Sequence, residues 1–203
     1  MRSNTLHWTQ NCWHFISRKN MESRGEVNLI KKLSEFPKNN SIFIDANIFH
    51  LYLRGPKKIQ EICTNLLEKI ERKEIIGYTS PLVLDELAYK LLLKKIEEKF
   101  QENPINILRK NPKVISNFSN YVELGLDTIL GIENLKIIDI SKEHVENMVD
   151  YMKKYLLLPR DALHLSVMLA INCRNIASTD DDFDRAPMIT RWTPRINENK
   201  ITK

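Results

Sequence analysis

Ser41-Ile42-Phe43-Ile44-Asp45-Ala46-Asn47 is the stretch on which the reading of this chain turns. Three apolar residues run straight into an acid, and an asparagine follows two positions on. A short, nearly unbroken apolar run predicts a strand buried on both faces, the habit of parallel sheets. A carboxylate at its C-terminal end would lie at the mouth of an open α/β sheet, where such folds place their ligands. An acid straight after a buried run is costly unless paired. Of all the acids in the chain, Asp45 therefore has the weakest purely structural explanation.

Outward from this strand, helix and strand patterns alternate. Upstream, Val27, Ile30, Leu33 and Phe36 have helical spacing, ended by Pro37-Lys38-Asn39-Asn40. Residues 1–20 hold Trp8 and Trp13 without a clean period, so 1–40 are expected to be an N-terminal extension with a short helix. Downstream, Ile48 to Leu53 predict a short helix broken at Gly55-Pro56, and Ile59, Ile62, Cys63, Leu66, Leu67 and Ile70 an amphipathic one. Ile75 to Thr79 read as a second strand, and Ser80-Pro81 as the cap and first position of a helix reaching about Gln101. Residues 104–131 read as helical throughout, with breaks at Asn103-Pro104 and Asn111-Pro112 and an inward stripe of Val114, Ile115, Phe118, Tyr121 and Val122. Leu135 to Ile140 predict a third strand. Ser141 caps a helix whose Val145, Met148, Val149 and Met152 should face the core. Pro159-Arg160-Asp161 opens a helix apolar on nearly every side, and hence central. Asn175 to Thr179 form a fourth strand, and Met188 to Trp192 add a short last one before a basic tail at 194–203. The expected class is α/β with a mainly parallel sheet.

Composition narrows the setting. A chain of 203 residues, 42% hydrophobic, suffices for one domain with a substantial core. No apolar run approaches the roughly 18 residues of a membrane span. The opening residues lack the apolar core of a secretory signal, so a cytoplasmic location is expected. Cys12, Cys63 and Cys173 lie far apart, which argues against a disulfide framework or a zinc site. A formal charge of +5 suits a polyanionic partner without requiring one.

The acids are telling by position. Besides Asp45 there are Glu86 early in the helix after the second strand, Asp161 in the first turn of the central helix, and Asp180 to Asp182 after the fourth strand. In a parallel sheet with right-handed crossovers, all of these segments open on one side. Crowded carboxylates repel, and some must protonate unless a cation neutralises them. Oxygen-only donors without nearby histidine or cysteine suit Mg²⁺ or Mn²⁺, and such a site in a basic protein points to phosphoester chemistry. Each acid also has a duller reading. Glu86 and Asp161 could complement helix dipoles, Asp85 could replace Glu86, and Asp180–Asp184 could be a solvated turn. His164, one turn from Asp161, is read as a satisfied core residue rather than a base, and His50 is left without a role. Arg185, Arg191 and Arg195 could contact phosphate or simply be solvated.

Asp45-Ala46-Asn47 after a buried strand, Glu86 in the segment from Ser80, Asp161 in Asp161-Ala162-Leu163-His164, and Ser178-Thr179-Asp180-Asp181-Asp182-Phe183 together resemble the motifs of PIN domains, in that family's order, over residues 41–190. The resemblance implies a three-layer α/β/α domain over 41–193, with a helical elaboration at about 94–131, and a Mg²⁺- or Mn²⁺-dependent endoribonuclease similar to VapC-type toxins. It assigns Asp45, Glu86, Asp161 and Asp180 as core acids, with Asp182 as a further metal ligand. Asn47 and Ser178 would orient carboxylates or water, and Arg185 and Arg191 are the candidate RNA phosphate contacts. Products with 5′-phosphate and 3′-hydroxyl ends are implied. The expected partners are an RNA substrate, an antitoxin protein and a second copy of the chain. The extra helices could serve as dimer surface, RNA-binding wall or antitoxin socket. Two rivals are a PIN nuclease of RNA processing or decay without an antitoxin, and a non-catalytic nucleic-acid-binding PIN module. A phosphatase built on Asp45 is remote, since Asn47 stands where a second Asp would be needed.

Overall fold

Ser41–Ile44 is a strand, β2, and Ile42, Phe43 and Ile44 are wholly buried. A computed structural model describes residues 31–195; the expectations for 1–30 and 196–203 lie outside the described residues. Around β2, five further strands complete one sheet: β1 (Lys31–Lys32), β3 (Ile76–Thr79), β4 (Leu135–Ile137), β5 (Asn175–Ala177) and β6 (Thr190–Thr193). Their order is β1-β6-β5-β2-β3-β4, and every pairing is parallel. Phe43 stands between Tyr78 of β3 and Ile176 of β5.

The connections explain the layers. Helices α1 (Ala46–Arg54) and α2 (Lys57–Glu71) lead from β2 to β3, and α3 (Pro81–Phe100), α4 (Pro104–Lys110) and α5 (Lys113–Leu130) lead on to β4. The chain then returns across the sheet through α6 (Lys142–Tyr155) and α7 (Pro159–Ala170) to β5 and β6. Right-handed crossovers in opposite directions put the first five helices on one face and the last two on the other. The packing agrees, with α1 on α2 and α3, α3 on α5, and α6 on α7. The direction of winding reverses between β2 and β5, and such a switch point opens a crevice at the strands' C-terminal ends. Helices that return against the strands begin at that same edge. No helix among the described residues is long and apolar enough to cross a membrane.

Three expectations need correction. Residues 31–36 are not helical: Lys31 and Lys32 pair with Trp192 and Thr193, and Leu33–Glu35 make one 3₁₀ turn. Apolar positions three apart serve a three-residue turn as well as an α-helix, which is why the pattern misled. Leu33 and Phe36 are both 2% exposed, and Phe36 meets Trp192 edge-on at 5.0 Å, so the folded unit starts before residue 41. Second, β4 stops at Ile137, because its neighbour β3 ends at Thr79, whose carbonyl accepts the last rung from the Ile138 amide. Third, Val145 and Val149 of α6 and Ile115 of α5 are exposed, whereas Met148 and Met152 pack into a small cluster with Tyr155, Leu157 and Leu165.

Phe36→Ala should test the revised boundary. Removing a buried ring costs about 3–5 kcal/mol, so the variant should unfold at much lower urea than the parent chain. An unchanged midpoint would return residues 31–40 to the status of an appendage.

Candidate active site

Asp45 leaves β2 and enters α1, with its amide donating to the Ala177 carbonyl of β5 at 3.1 Å. An aspartate at a helix start usually caps that helix; this side chain makes no such bond. It turns into the crevice instead, where one oxygen, Oδ2, accepts from Ser178 Oγ at 2.6 Å and from Asn47 Nδ2 at 2.9 Å. Only 4% exposed, Asp45 is pushed above the usual carboxylate range by burial, with Glu86 adding to the rise; His164, Ser178 and Lys90 oppose it.

Glu86 lies in the second turn of α3. Its Oε1 pairs with Lys90 Nζ at 3.0 Å, and its Oε2 stands 3.8 Å from His164 Nε2 and 3.9 Å from Arg160. Burial works to raise its pKa, but His164 and Lys90 prevail and hold it at about 2. Asp85, one position earlier, points about 100° away around the helix. It lies exposed beside Ala88 and Tyr89, on the groove toward α5.

Asp161 occupies the first turn of α7. Burial pushes its carboxyl up to about 7, and Asp180, Asp45, Asp182 and Glu86 push in the same direction. One carboxyl thus feels acids from three other segments of the chain. Asp180 follows β5; its amide donates to Ser178 Oγ at 3.0 Å, and its carboxylate accepts the Asp182 amide at 3.0 Å. Burial raises Asp182, as do Asp180 and Asp181, while Arg185 opposes.

The predicted acids therefore converge at the switch point, in two groups. Ligand atoms of Asp45, Glu86 and His164 lie within 4.8 Å of one another, and those of Asp180, Asp181 and Asp182 do likewise, with Asp161 coupled electrostatically to both. Asn47 links Asp45 to α3, since its Oδ1 accepts from Lys90 Nζ at 2.5 Å. The arginines behave differently from expectation. Arg191 has 4% of its side chain exposed and forms a two-pronged pair with Asp184 at 2.9 and 2.6 Å, so it fastens β6 to the Asp181–Arg185 turn and is not open to phosphate. Arg185 is engaged with Asp182 at 2.5 Å and with the Leu156 carbonyl at 2.6 Å.

Two residues in the site escaped the sequence reading. Lys90 follows Glu86 by one helical turn, a spacing common on solvated helices and hence easily passed over. His164 was set aside as core. It is indeed core, at 1% exposure, but neither ring nitrogen has a hydrogen-bond partner among the described residues. Next to the acids, a groove of about 650 Å³ is lined by His50, Lys90, Leu93, Lys94, Glu97 and Gln101, among others.

A parallel sheet with acids gathered where its winding reverses is the architecture of a PIN domain, and this chain belongs to that family: the PIN domain profile matches residues 42–188. Among named relatives, Ribonuclease VapC2 of Methanocaldococcus jannaschii is 30% identical over 151 residues, covering 74% of this chain and 91% of the relative. Ribonuclease VapC6 of the same organism is 24% identical over 151 residues, covering 74% and 95%. Of solved structures, the VapBC2 complex of Rickettsia felis bound to a promoter DNA fragment includes a chain 21% identical, with a TM-score of 0.49, covering 75% of this chain and 98% of that one.

Proposed function

We propose that this protein is a divalent-metal-dependent endoribonuclease of the VapC type. The observation that carries the reading is the convergence of Asp45, Glu86, Asp161 and Asp180 at the switch point, with the Asp161 carboxyl pushed to about 7 by burial and, further, by the acids around it. The relatives named as ribonucleases add to it.

The donor set fits a cation. Two acids, the buried Asp45 and the half-buried Asp161, are under-neutralised by the protein's own charges, and the carboxylate oxygens are those that Mg²⁺ and Mn²⁺ accept. Asp45, Glu86, Asp161 and Asp180 would hold the ion, with Asp182 at the margin. When bound, it supplies positive charge that polarises a phosphoryl oxygen and acidifies water. Ser178 and Asn47 lock one Asp45 oxygen and leave the other free to face the crevice. Lys90 holds Glu86 and Asn47 in place through one ammonium. Lys90 and Lys94, one turn apart on the groove beside the acids and paired with Glu86 and Glu97, add two further candidate phosphate contacts to Arg185. An antitoxin partner and a homodimer follow from the VapC resemblance. The exposed Tyr89 and Ile115, either side of a groove between α3 and α5, offer apolar surface for a protein partner.

Purified protein incubated with total RNA should produce discrete fragments with 5′-phosphate ends in Mg²⁺ or Mn²⁺, and none in excess chelator. Retention of RNA without cleavage in either ion would favour the non-catalytic binding module. Cleavage undiminished in chelator would end the metal-dependent reading.

A further inference from the structure

Four observations set His164 apart. It is 1% exposed, and neither Nδ1 nor Nε2 has a hydrogen-bond partner among the described residues. A buried polar group left unpaired costs about 1–3 kcal/mol, so its retention calls for a ligand or a partner. Its Nε2 lies 3.8 Å from Glu86 Oε2, within ion-pair reach when the ring is protonated but too far for a hydrogen bond. Finally, the ligand atoms of His164, Asp45 and Glu86 are all within 4.8 Å of one another. Donors sharing one ion at bonds of about 2.1 Å stand about 3 Å apart when adjacent and about 4.2 Å apart when opposed. The gap between His164 and Glu86 falls inside that range. Phe43, at 5.8 Å between ring centroids and buried in the sheet, backs the imidazole and limits its swing.

We propose that His164 is a nitrogen ligand of the ion held by Asp45 and Glu86, so that the site is a mixed oxygen–nitrogen centre selective for transition metals over Mg²⁺. The proposal rests on the reading of the acids as a metal site. Imidazole is a borderline donor that adds little for Mg²⁺, whereas affinity for first-row ions rises from Mn²⁺ onward along the Irving–Williams order. Of the two ions considered so far, Mn²⁺ is then the better fit, and Co²⁺ should bind more tightly than Mn²⁺. The second acid group, Asp180 to Asp182, has oxygen donors alone and carries no such preference.

The test needs no RNA. The full chain is loaded with Mn²⁺ and examined by pulsed electron paramagnetic resonance for ¹⁴N coupling from a directly bound imidazole. Affinities for Mn²⁺ and Mg²⁺ are measured by calorimetry on the parent chain and on His164→Gln. Coupling is expected in the parent and absent in the variant. The variant's Mn²⁺ affinity should fall at least about tenfold, the lower end of what losing even an outer partner of a metal ligand costs, while its Mg²⁺ affinity changes less than about twofold. Because the parent spectrum is informative by itself, an unstable variant does not blunt the test. Mn²⁺ binding without nitrogen coupling overturns the assignment of His164 and leaves the metal-dependent nuclease standing. Absence of Mn²⁺ and Mg²⁺ binding overturns both.

Discussion

Asp45→Asn is expected to lower RNA cleavage by at least about a thousandfold while leaving the fold intact. Both donors to this side chain, Ser178 Oγ and Asn47 Nδ2, bond the same oxygen. An asparagine amide can present its oxygen to both and keep the network, which places its NH₂ where the second carboxylate oxygen had been. That group donates, and a cation requires an acceptor. Loss of a few kcal/mol of charge stabilisation corresponds to about three orders of magnitude in rate. Removing one negative charge from a crowded cluster also relieves repulsion, so the metal-free variant should melt higher than the metal-free parent by a few degrees. Single-turnover cleavage and thermal melts in chelator measure the two effects. A variant that cuts at the parental rate would remove Asp45 from the chemistry.

The second large effect concerns pH. The Asp161 carboxyl rises from an ordinary 3.8 to about 7, chiefly through burial and then through its acidic neighbours, and Asp45 is raised as well. A raised carboxyl keeps its proton in the folded state at pH values where the unfolded chain has released it. Its stabilisation is complete below the ordinary value and drains away as pH climbs to about 7. For Asp161 this is worth up to about 4 kcal/mol. Glu86 moves the other way, but its contribution is lost only as pH falls below 4.5 toward 2. The metal-free protein should therefore melt about 10 °C higher at pH 5 than at pH 8. Saturating Mn²⁺ should shrink most of that difference, since ions bind the deprotonated carboxylates, and a hundredfold excess over the dissociation constant adds about 2.7 kcal/mol at pH 8. Calorimetry at the two pH values, with chelator and with Mn²⁺, checks this. A metal-free chain more stable at pH 8 than at pH 5 would show that the acids are not crowded as described.

Much of this was legible in the residues because local patterns coincided with the tertiary ones. The unbroken apolar run of β2 could only be a strand covered on both faces, and an acid ending it had to face the crevice. Parallel topology then implied that Glu86, Asp161 and Asp180 would share the edge. Where the reading went astray, a local pattern admitted two geometries or a partner far away in sequence. Leu33 and Phe36 suit a 3₁₀ turn as well as a helix, and only the docking of Lys31 on Trp192 decides between them. Arg191 looks free until Asp184 comes around the turn to meet it. His164 was recognised as buried, yet its missing hydrogen bonds could be seen only once every neighbour was in place. Nothing in the spacing of α6 announces that Val145 and Val149 stay exposed, because an outermost helix can carry more apolar surface than its neighbours cover.

The place of β5 in the sheet has a consequence for timing during synthesis. This strand sits between β2 and β6, and the hydroxyl that orients Asp45 comes from Ser178, 133 positions later in the chain. A growing polypeptide that has reached only α6 holds β2, β3 and β4 but has an open flank where β5 belongs, and it lacks Ser178 and Asp180 altogether. The crevice is therefore assembled only once β5 has joined β2, and the order of synthesis makes that pairing a late step.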